Sequence, residues 1–178
     1  MHQHTETPSE WITRWAPLIP AGGRVLDVAS GAGRHARWLA ARGYRVDAVD
    51  RDAAALAWLD ATPAITTFCA DIENGPWPFE RGVYDGVVVA NYLHRPLFPE
   101  LLAALARGGV LVYETFAVGN ERYGRPSNPA FLLRAGELLD VVRGALRVVA
   151  YEDRVVETPR RAQVQRICAV ESRSQTAP

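Results

Sequence analysis

The sequence contains no lysine, and this absence excludes several kinds of enzyme chemistry. All 20 basic residues among the 178 are arginine. A phosphate-binding P-loop needs a lysine, Schiff-base chemistry needs a lysine amine, and tyrosine–lysine reductases need a lysine beside the tyrosine. These three chemistries are therefore excluded.

Cysteine, histidine and long apolar runs are also scarce. Cys69 and Cys168 lie far apart and the 4 histidines are scattered, so no metal site is expected. Two isolated thiols are typical of a reducing compartment, which predicts a cytoplasmic location. Residues 1–10 lack the basic start and apolar run of a signal peptide, and no stretch approaches the roughly 20 apolar residues of a membrane span.

Charge and length indicate one ordinary domain. The 20 acidic residues balance the 20 basic ones, so the chain as a whole has no attraction to nucleic acid or anionic membranes. The length predicts a single domain over residues 1–178. The polar ends, residues 1–8 and 172–178, are predicted to be disordered. Residues 9–19 predict a helix that is a candidate lid. Trp11 and Trp15 lie one turn apart there, and packing on the sheet is the favoured interpretation.

Strand and helix patterns alternate along most of the chain. The last two predicted strands are joined only by a turn at Thr158-Pro159, so they must pair antiparallel. The sequence therefore predicts an α/β fold with a doubly wound, mostly parallel seven-stranded sheet and a C-terminal antiparallel hairpin. The predicted strands are 24–28, 45–50, 65–70, 84–91, 110–114, 146–155 and 162–170, and the predicted helices are 34–42, 53–61, 99–107 and 138–143.

Three carboxylates follow the first three predicted strands. Asp27 precedes the loop Gly31–Gly33, Asp50 ends the second strand and Asp71 follows the third. In such sheets a ligand binds outside the carboxyl ends of the strands. Asp50 suits a pair of ribose hydroxyls, and Asp71 with the backbone N–H of Ile72 suits an adenine. The sequence thus predicts a nucleoside site at this edge.

Two kinds of ligand fit these residues. Gly31 to Ala36 satisfies the NAD fingerprint G-x-G-x-x-A, and Asp50 follows Gly33 at about the expected 20 residues. Asp27 argues against NAD, because a carboxylate four residues before Gly31 favours a ligand with a cationic amine. An NAD-dependent oxidoreductase stays an alternative, although no proton-donor pair is evident. A non-catalytic, cofactor-binding partner protein is another.

The ordered motifs resemble those of class I S-adenosylmethionine-dependent methyltransferases over almost the whole chain. Val25–Gly33 is similar to that family's first motif, Tyr84–Val89 to its fourth-strand motif, and Leu105–Leu111 to the run before strand five. Ala29 replaces a usual glycine, which is tolerable if Ala29 keeps a negative φ. Ala106-Arg107 replaces a usual Lys-Pro. Among relatives, the small tellurite-resistance-type methyltransferases look most similar.

The resemblance implies a Rossmann-like fold and S-adenosyl-L-methionine as the cofactor. Asn91 is implied to contact the methionine amine through backbone near it. The implied cofactor-binding residues are Asp27, Ala29, Ser30, Gly31, Gly33, Asp50, Arg51, Asp71, Ile72 and Asn91.

The methyl acceptor is expected beyond strands four and five. Methyl transfer is an in-line displacement that mainly needs alignment of the reacting groups. His94 is the candidate base because its ordinary pKa lies near neutrality, and starting the next helix is its equally weighted alternative. Glu114 is a candidate to orient the acceptor or act as a base, and Tyr92 to wall the sulfonium with its ring.

The irregular segment 115–128 predicts an acceptor pocket. Arg122 and Arg125 are candidates to clamp an acidic substrate beside Tyr123, with solvated surface charges as the alternative. A small-molecule acceptor is expected, in a monomer or homodimer. An RNA or protein acceptor would fit if these arginines joined Arg160 and Arg161 in one basic face.

Three further residues near these motifs are assigned no part in binding. His35 is expected to cap the first helix or face solvent. Asp47 and Asp52 are interpreted as surface charges.

Overall fold

The fold is seen in a computed structural model, which describes residues 7–172. The predicted disorder at residues 1–8 and 172–178 falls almost entirely outside the described residues, so it stays a prediction.

One seven-stranded sheet organises the chain, in the order β3-β2-β1-β4-β5-β7-β6. Strands β1 to β5 are parallel, and β7 pairs antiparallel with both β5 and β6. The predicted fold class is confirmed. The strand order reverses between β1 and β4, which places the switch point there. The strands are β1 (Arg24–Val28), β2 (Arg45–Asp50), β3 (Ile65–Cys69), β4 (Tyr84–Ala90), β5 (Leu105–Phe116), β6 (Leu146–Val156) and β7 (Ala162–Glu171).

Helices cover both faces of the sheet. They are α1 (Glu10–Trp15), α2 (Arg34–Ala40), α3 (Ala53–Leu56), α4 (Phe98–Ala104) and α5 (Glu137–Val142). Side chains of α1, α2 and α3 share one core with the sheet, and those of α4 and α5 share the other. Within residues 7–172, every helix is too short or too polar to cross a membrane.

Helices α3 and α4 end at least three residues before their predicted ends, whereas α2 and α5 end within two residues of theirs. The helix predicted over 53–61 is α-helical only to Leu56 and continues as a 3-10 turn, 57–59. The helix predicted over 99–107 ends at Ala104, because Leu105 is buried and pairs with Tyr84 as the start of β5. Sheet pairing thus overrides local helical preference there.

Asp47 was expected to be a surface charge, and that prediction is wrong. Its side chain is buried, where it accepts a hydrogen bond from the Tyr84 hydroxyl at 2.7 Å and pairs with Arg24 at 2.7 Å. Burial and this carboxylate raise the pKa of Tyr84. The network closes the amino end of the sheet, opposite the predicted site.

The first turn of helix α1 is hydrogen-bonded to the sheet. Ser9 caps it by accepting from the backbone N–H groups of Trp11 and Ile12. Trp11 is buried and its indole Nε1 donates to the Ile167 carbonyl of β7 at 3.2 Å. This contact is the packing favoured from the sequence, while a lid function stays a prediction.

His35 does not face solvent or cap a helix, contrary to expectation. It is buried, and its Nε2 accepts a hydrogen bond from the backbone N–H of Ser9 at 3.1 Å. Burial, with a smaller effect of Arg34, lowers the pKa of His35 to about 3. The neutral ring therefore ties the start of α1 to α2.

Candidate functional site

Two strained residues mark the switch point. In residues 7–172, the non-glycine residues with positive φ are Ala29 (φ 53°) and Asn91 (φ 55°), which follow β1 and β4 directly. The expectation that Ala29 keeps a negative φ is wrong, because the chain must turn sharply out of β1. A left-handed alanine costs roughly 1–2 kcal/mol. Such strain is characteristic of functional sites.

The glycine loop after β1 is held against β2. The backbone N–H of Gly31 donates to Asp50 Oδ2 at 2.8 Å, and that of Ser30 donates to the Val49 carbonyl at 3.0 Å. A Cβ at Gly33 would overlap the Leu59 side chain, whereas a Cβ at Gly31 would meet open space. The loop is therefore closely packed at Gly33 and open at Gly31, where a ligand can approach the backbone.

Asp27 lies below this loop and is 1% exposed. Its Oδ2 atom has no hydrogen-bond partner among the described residues. Burial raises the pKa of Asp27 to about 7, although the Ala36 backbone N–H and the charge of Arg34 act in the opposite direction. The buried hydroxyl of Ser30 is likewise without a partner. Buried polar atoms of this kind call for an explanation, and a bound ligand is one.

The turn after β3 is acidic, and its residues hydrogen-bond to one another. Asp71 is exposed and accepts from the backbone N–H groups of Glu73 and Asn74 at 3.0 and 3.1 Å, and from the Asn74 side chain. These bonds, with a small effect of Arg51, lower the pKa of Asp71. Ile72 is buried beside it. The assignment of Asp71 and Ile72 to adenine binding stays a prediction.

The exit of β4 carries Tyr92 and His94. The Tyr92 hydroxyl is buried without a well-formed hydrogen bond, and burial together with the Glu73 carboxylate raises its pKa. The Tyr92 carbonyl accepts from the Tyr113 hydroxyl at 2.8 Å, which fixes this turn. His94 precedes the 3-10 turn 95–97, and its side chain makes no capping hydrogen bond. The His94 imidazole therefore does not cap this turn.

Glu114 lies near the carboxyl end of β5 in a cluster of charged side chains. Of this cluster, Glu114 was identified from the sequence but Arg166 was not. Its Oε2 accepts from Arg166 Nε at 2.9 Å, and Arg166 also approaches Glu152 at 3.4 Å. The Trp11 ring of α1 lies 5.8 Å from the Arg166 guanidinium. The carbonyl of Glu114 accepts from the Asn91 N–H at 3.0 Å, which joins this cluster to the exit of β4.

Arg166 and Arg34 were not identified from the sequence. Arg166 pairs in register with Glu114 across β5 and β7, and alternation along β7 was the available signal. Arg34 opens α2, and its pKa is lowered by burial, against the charges of Glu114 and Asp27. Both cations therefore act on Glu114, Arg166 by direct contact and Arg34 through its charge.

The predicted acceptor segment is folded back onto the domain. Ala117 bridges to Leu133, and the buried Asn120 side chain donates to the Pro126 carbonyl and accepts from the Gln163 N–H. Arg95 pairs with Glu137 at 2.7 Å and donates to the carbonyls of Ala130 and Leu132, which fixes the end of the segment near His94. The segment 115–128 is therefore held against the domain, and it is called the wall below.

Arg122 and Arg125 are exposed on this wall, and Tyr123 is partly buried. The Arg161 guanidinium lies 5.2 Å from the Tyr123 ring, and Arg160 donates to the Arg125 carbonyl. Arg160 and Arg161 of the hairpin therefore contact this segment, and Arg161 also pairs with Glu157 at 3.4 Å. Within residues 7–172 no group of three His, Cys, Asp or Glu side chains is arranged to hold a metal ion.

The family comparison agrees with this geometry. A family described as "Methyltransferase domain" matches residues 25–109, which run from β1 into β5 and include the glycine loop, Asp50 and Asp71. Residues 25–109 are therefore similar to a methyltransferase domain. This match agrees with the predicted S-adenosylmethionine-dependent methyltransferase class and its cofactor.

Solved structures with the same fold are similar at low identity. TehB from Haemophilus influenzae gives a TM-score of 0.78 at 18% identity, over 96% of this chain and 64% of that one. A methyltransferase from Methanosarcina mazei gives 0.71 at 14%, over 93% and 98%. The geranyl diphosphate C-methyltransferase of Streptomyces coelicolor A3(2), solved with S-adenosyl-L-homocysteine, gives 0.66 at 18%, over 90% and 79%. The likeness to TehB agrees with the predicted subfamily resemblance.

This chain thus spans 64% of the TehB chain. No curated protein matches the sequence.

Proposed function

We propose that this protein transfers a methyl group from S-adenosylmethionine to a small-molecule acceptor at the carboxyl edge of the sheet. The observation that carries the proposal is the pair of strained turns at Ala29 and Asn91, on the two strands that flank the switch point. Backbone strain retained at both places indicates that these turns are shaped for a ligand.

The residues at this edge fit the cofactor. The unpartnered atoms Asp27 Oδ2 and Ser30 Oγ and the open space at Gly31 offer acceptors and backbone access. In this proposal Asp27 receives the amine and Asp50 the ribose hydroxyls. Asp71 and Ile72 receive the adenine, and the turns at Ala29, Gly33, Arg51 and Asn91 shape the cleft. When bound, the cofactor supplies an electrophilic methyl group on sulfur.

The protein's own groups align the acceptor and exclude water. We assign Tyr92 to the wall beside the reacting carbon and His94 to removal of an acceptor proton. Glu114, held by Arg166 at 2.9 Å, orients the acceptor. Alignment of this kind contributes about 7–11 kcal/mol to lowering a barrier.

An acidic small molecule is the acceptor class that the wall favours. Arg122 and Arg125 are exposed on it beside Tyr123, and guanidinium groups bind carboxylate or phosphate through paired hydrogen bonds. The wall, residues 115–128, belongs to this same domain, which suits a small acceptor lying against it.

Thermal unfolding with S-adenosylmethionine, S-adenosylhomocysteine and NAD tests the cofactor site. A ligand at 100 times its Kd adds about 2.7 kcal/mol, which raises the Tm of a domain this size by about 5–10 °C. Both sulfur nucleotides are expected to give this shift and NAD none. A shift with NAD alone would support the oxidoreductase, and no shift would support a non-catalytic protein. An acceptor screen with methyl-labelled cofactor then tests transfer, beginning with small acids.

His94→Ala is expected to lower kcat by about 10²–10⁴-fold with an acceptor that must lose a proton. Affinity for S-adenosylhomocysteine, measured by calorimetry, should be unchanged, because the imidazole is assigned to the acceptor. Unchanged turnover would show that the acceptor needs no base at this position. A loss of cofactor affinity would instead place His94 in the cofactor site.

A further inference from the structure

The carboxyl group of Asp27 lies in surroundings that disfavour its charge. It is 1% exposed, and its register neighbours on the adjacent strands are Ala48 and Val88. The backbone N–H of Ala36 favours the ionised carboxyl group, and Oδ2 has no partner among the described residues. A buried carboxylate with so little compensation favours its neutral form.

The charged groups facing Asp27 come from two elements. Arg34 of α2 favours the ionised form, and Asp50 at the end of β2 opposes it. Arg34 also interacts electrostatically with Glu114 of β5. The two effects on Asp27 partly cancel, and burial raises its pKa to about 7. A substantial fraction of Asp27 is therefore protonated at neutral pH in the ligand-free protein.

We propose that binding of the cofactor's cationic amine ionises Asp27, so that the site takes up a cation and releases a proton to solvent. This inference rests on the proposed function, because it assigns the amine to Asp27. The O–H bond of the carboxyl group breaks and its proton leaves to water. The carboxylate that remains accepts a hydrogen bond from the ammonium group, and the buried site keeps its net charge.

Cofactor affinity should therefore depend on pH. The form that binds the amine is ionised Asp27, so affinity rises as pH rises through about 7 and levels off above it. The Kd for S-adenosylhomocysteine is expected to be about tenfold higher at pH 6 than at pH 8. 5′-Methylthioadenosine lacks the amine, so its binding should not show this dependence.

Calorimetry in two buffers of different ionisation enthalpy measures the proton directly. The wild-type protein is expected to release a fraction of a proton per bound S-adenosylhomocysteine at pH 7 and a larger fraction at pH 6. Asp27→Asn should bind without this release. Protons gained by the ligand's own amine are common to both proteins and cancel in the difference. Asp140→Asn, which removes an exposed carboxylate on α5, is the matched control and should release the same number as wild type.

Four results would overturn the inference. Binding of S-adenosylhomocysteine to the wild type without proton release would overturn it and leave the proposed function intact. Equal release by wild type and Asp27→Asn would assign the proton to another group. Absence of binding would overturn the proposed function as well. If Asp27→Asn does not fold, the wild-type comparison of S-adenosylhomocysteine with 5′-methylthioadenosine decides, and equal proton release by both would overturn the inference.

Discussion

Asp50→Ala is expected to raise the Kd for S-adenosylhomocysteine by at least about 100-fold. The substitution removes the acceptor assigned to two ribose hydroxyls, and hydrogen bonds to a charged group contribute about 1.5–3 kcal/mol each. It also removes the 2.8 Å hydrogen bond that holds the Gly31 N–H, so the glycine loop loses its tie to β2. Isothermal titration calorimetry measures the change.

Asp52→Ala is the matched control for this experiment. Asp52 is two residues away, is exposed, and caps α3 by accepting from the Ala54 and Ala55 N–H groups. Its loss should lower stability by about 1 kcal/mol and leave cofactor affinity nearly unchanged. If Asp50→Ala weakened binding no more than Asp52→Ala, the assignment of Asp50 to the ribose would be wrong.

The strands of the sheet could be predicted because their signal is local. Val87, Val88 and Val89 are apolar on both faces of β4, and such runs are typical of buried parallel strands. The turn at Thr158-Pro159 is too short for a crossover, so antiparallel pairing of β6 and β7 followed from length alone. Parallel topology then brought Asp27, Asp50 and Asp71 to one edge.

The errors involve partners that are distant in sequence. Buried Asp47 accepts a hydrogen bond from the Tyr84 hydroxyl, which is 37 residues away in sequence. Buried His35 accepts one from the backbone N–H of Ser9, which is 26 residues away. Neither separation has a local signature. The φ of Ala29 was also beyond prediction, because an alanine side chain does not specify a left-handed turn and the requirement comes from the course of the chain. Arg166 became a candidate only once β7 was known to pair with β5.

Arg166→Met is expected to lower the free energy of unfolding by about 3–5 kcal/mol, since it leaves a buried carboxylate without its bonded cation. The side chains of Arg166 and Glu114 are 15% and 9% exposed and 2.9 Å apart, so solvent replaces little of the lost interaction. Urea unfolding at pH 7 measures the change. Arg154→Met is the matched control, because Arg154 also approaches Glu152, at 4.0 Å, but is 60% exposed. It should lose less than about 1 kcal/mol.

The double variant Arg166→Met/Glu114→Gln separates loss of the pair from loss of packing. Once the glutamate is neutral, the penalty for an uncompensated buried charge disappears, so the double variant should be more stable than the sum of the two single losses predicts. Strict additivity would show that Arg166 acts through its packing under Trp11 of α1. A loss in Arg166→Met no greater than in Arg154→Met would mean that Arg34, the other cation acting on Glu114, suffices to compensate it. The position of Glu114 in the site would then depend on α2 rather than on the hairpin.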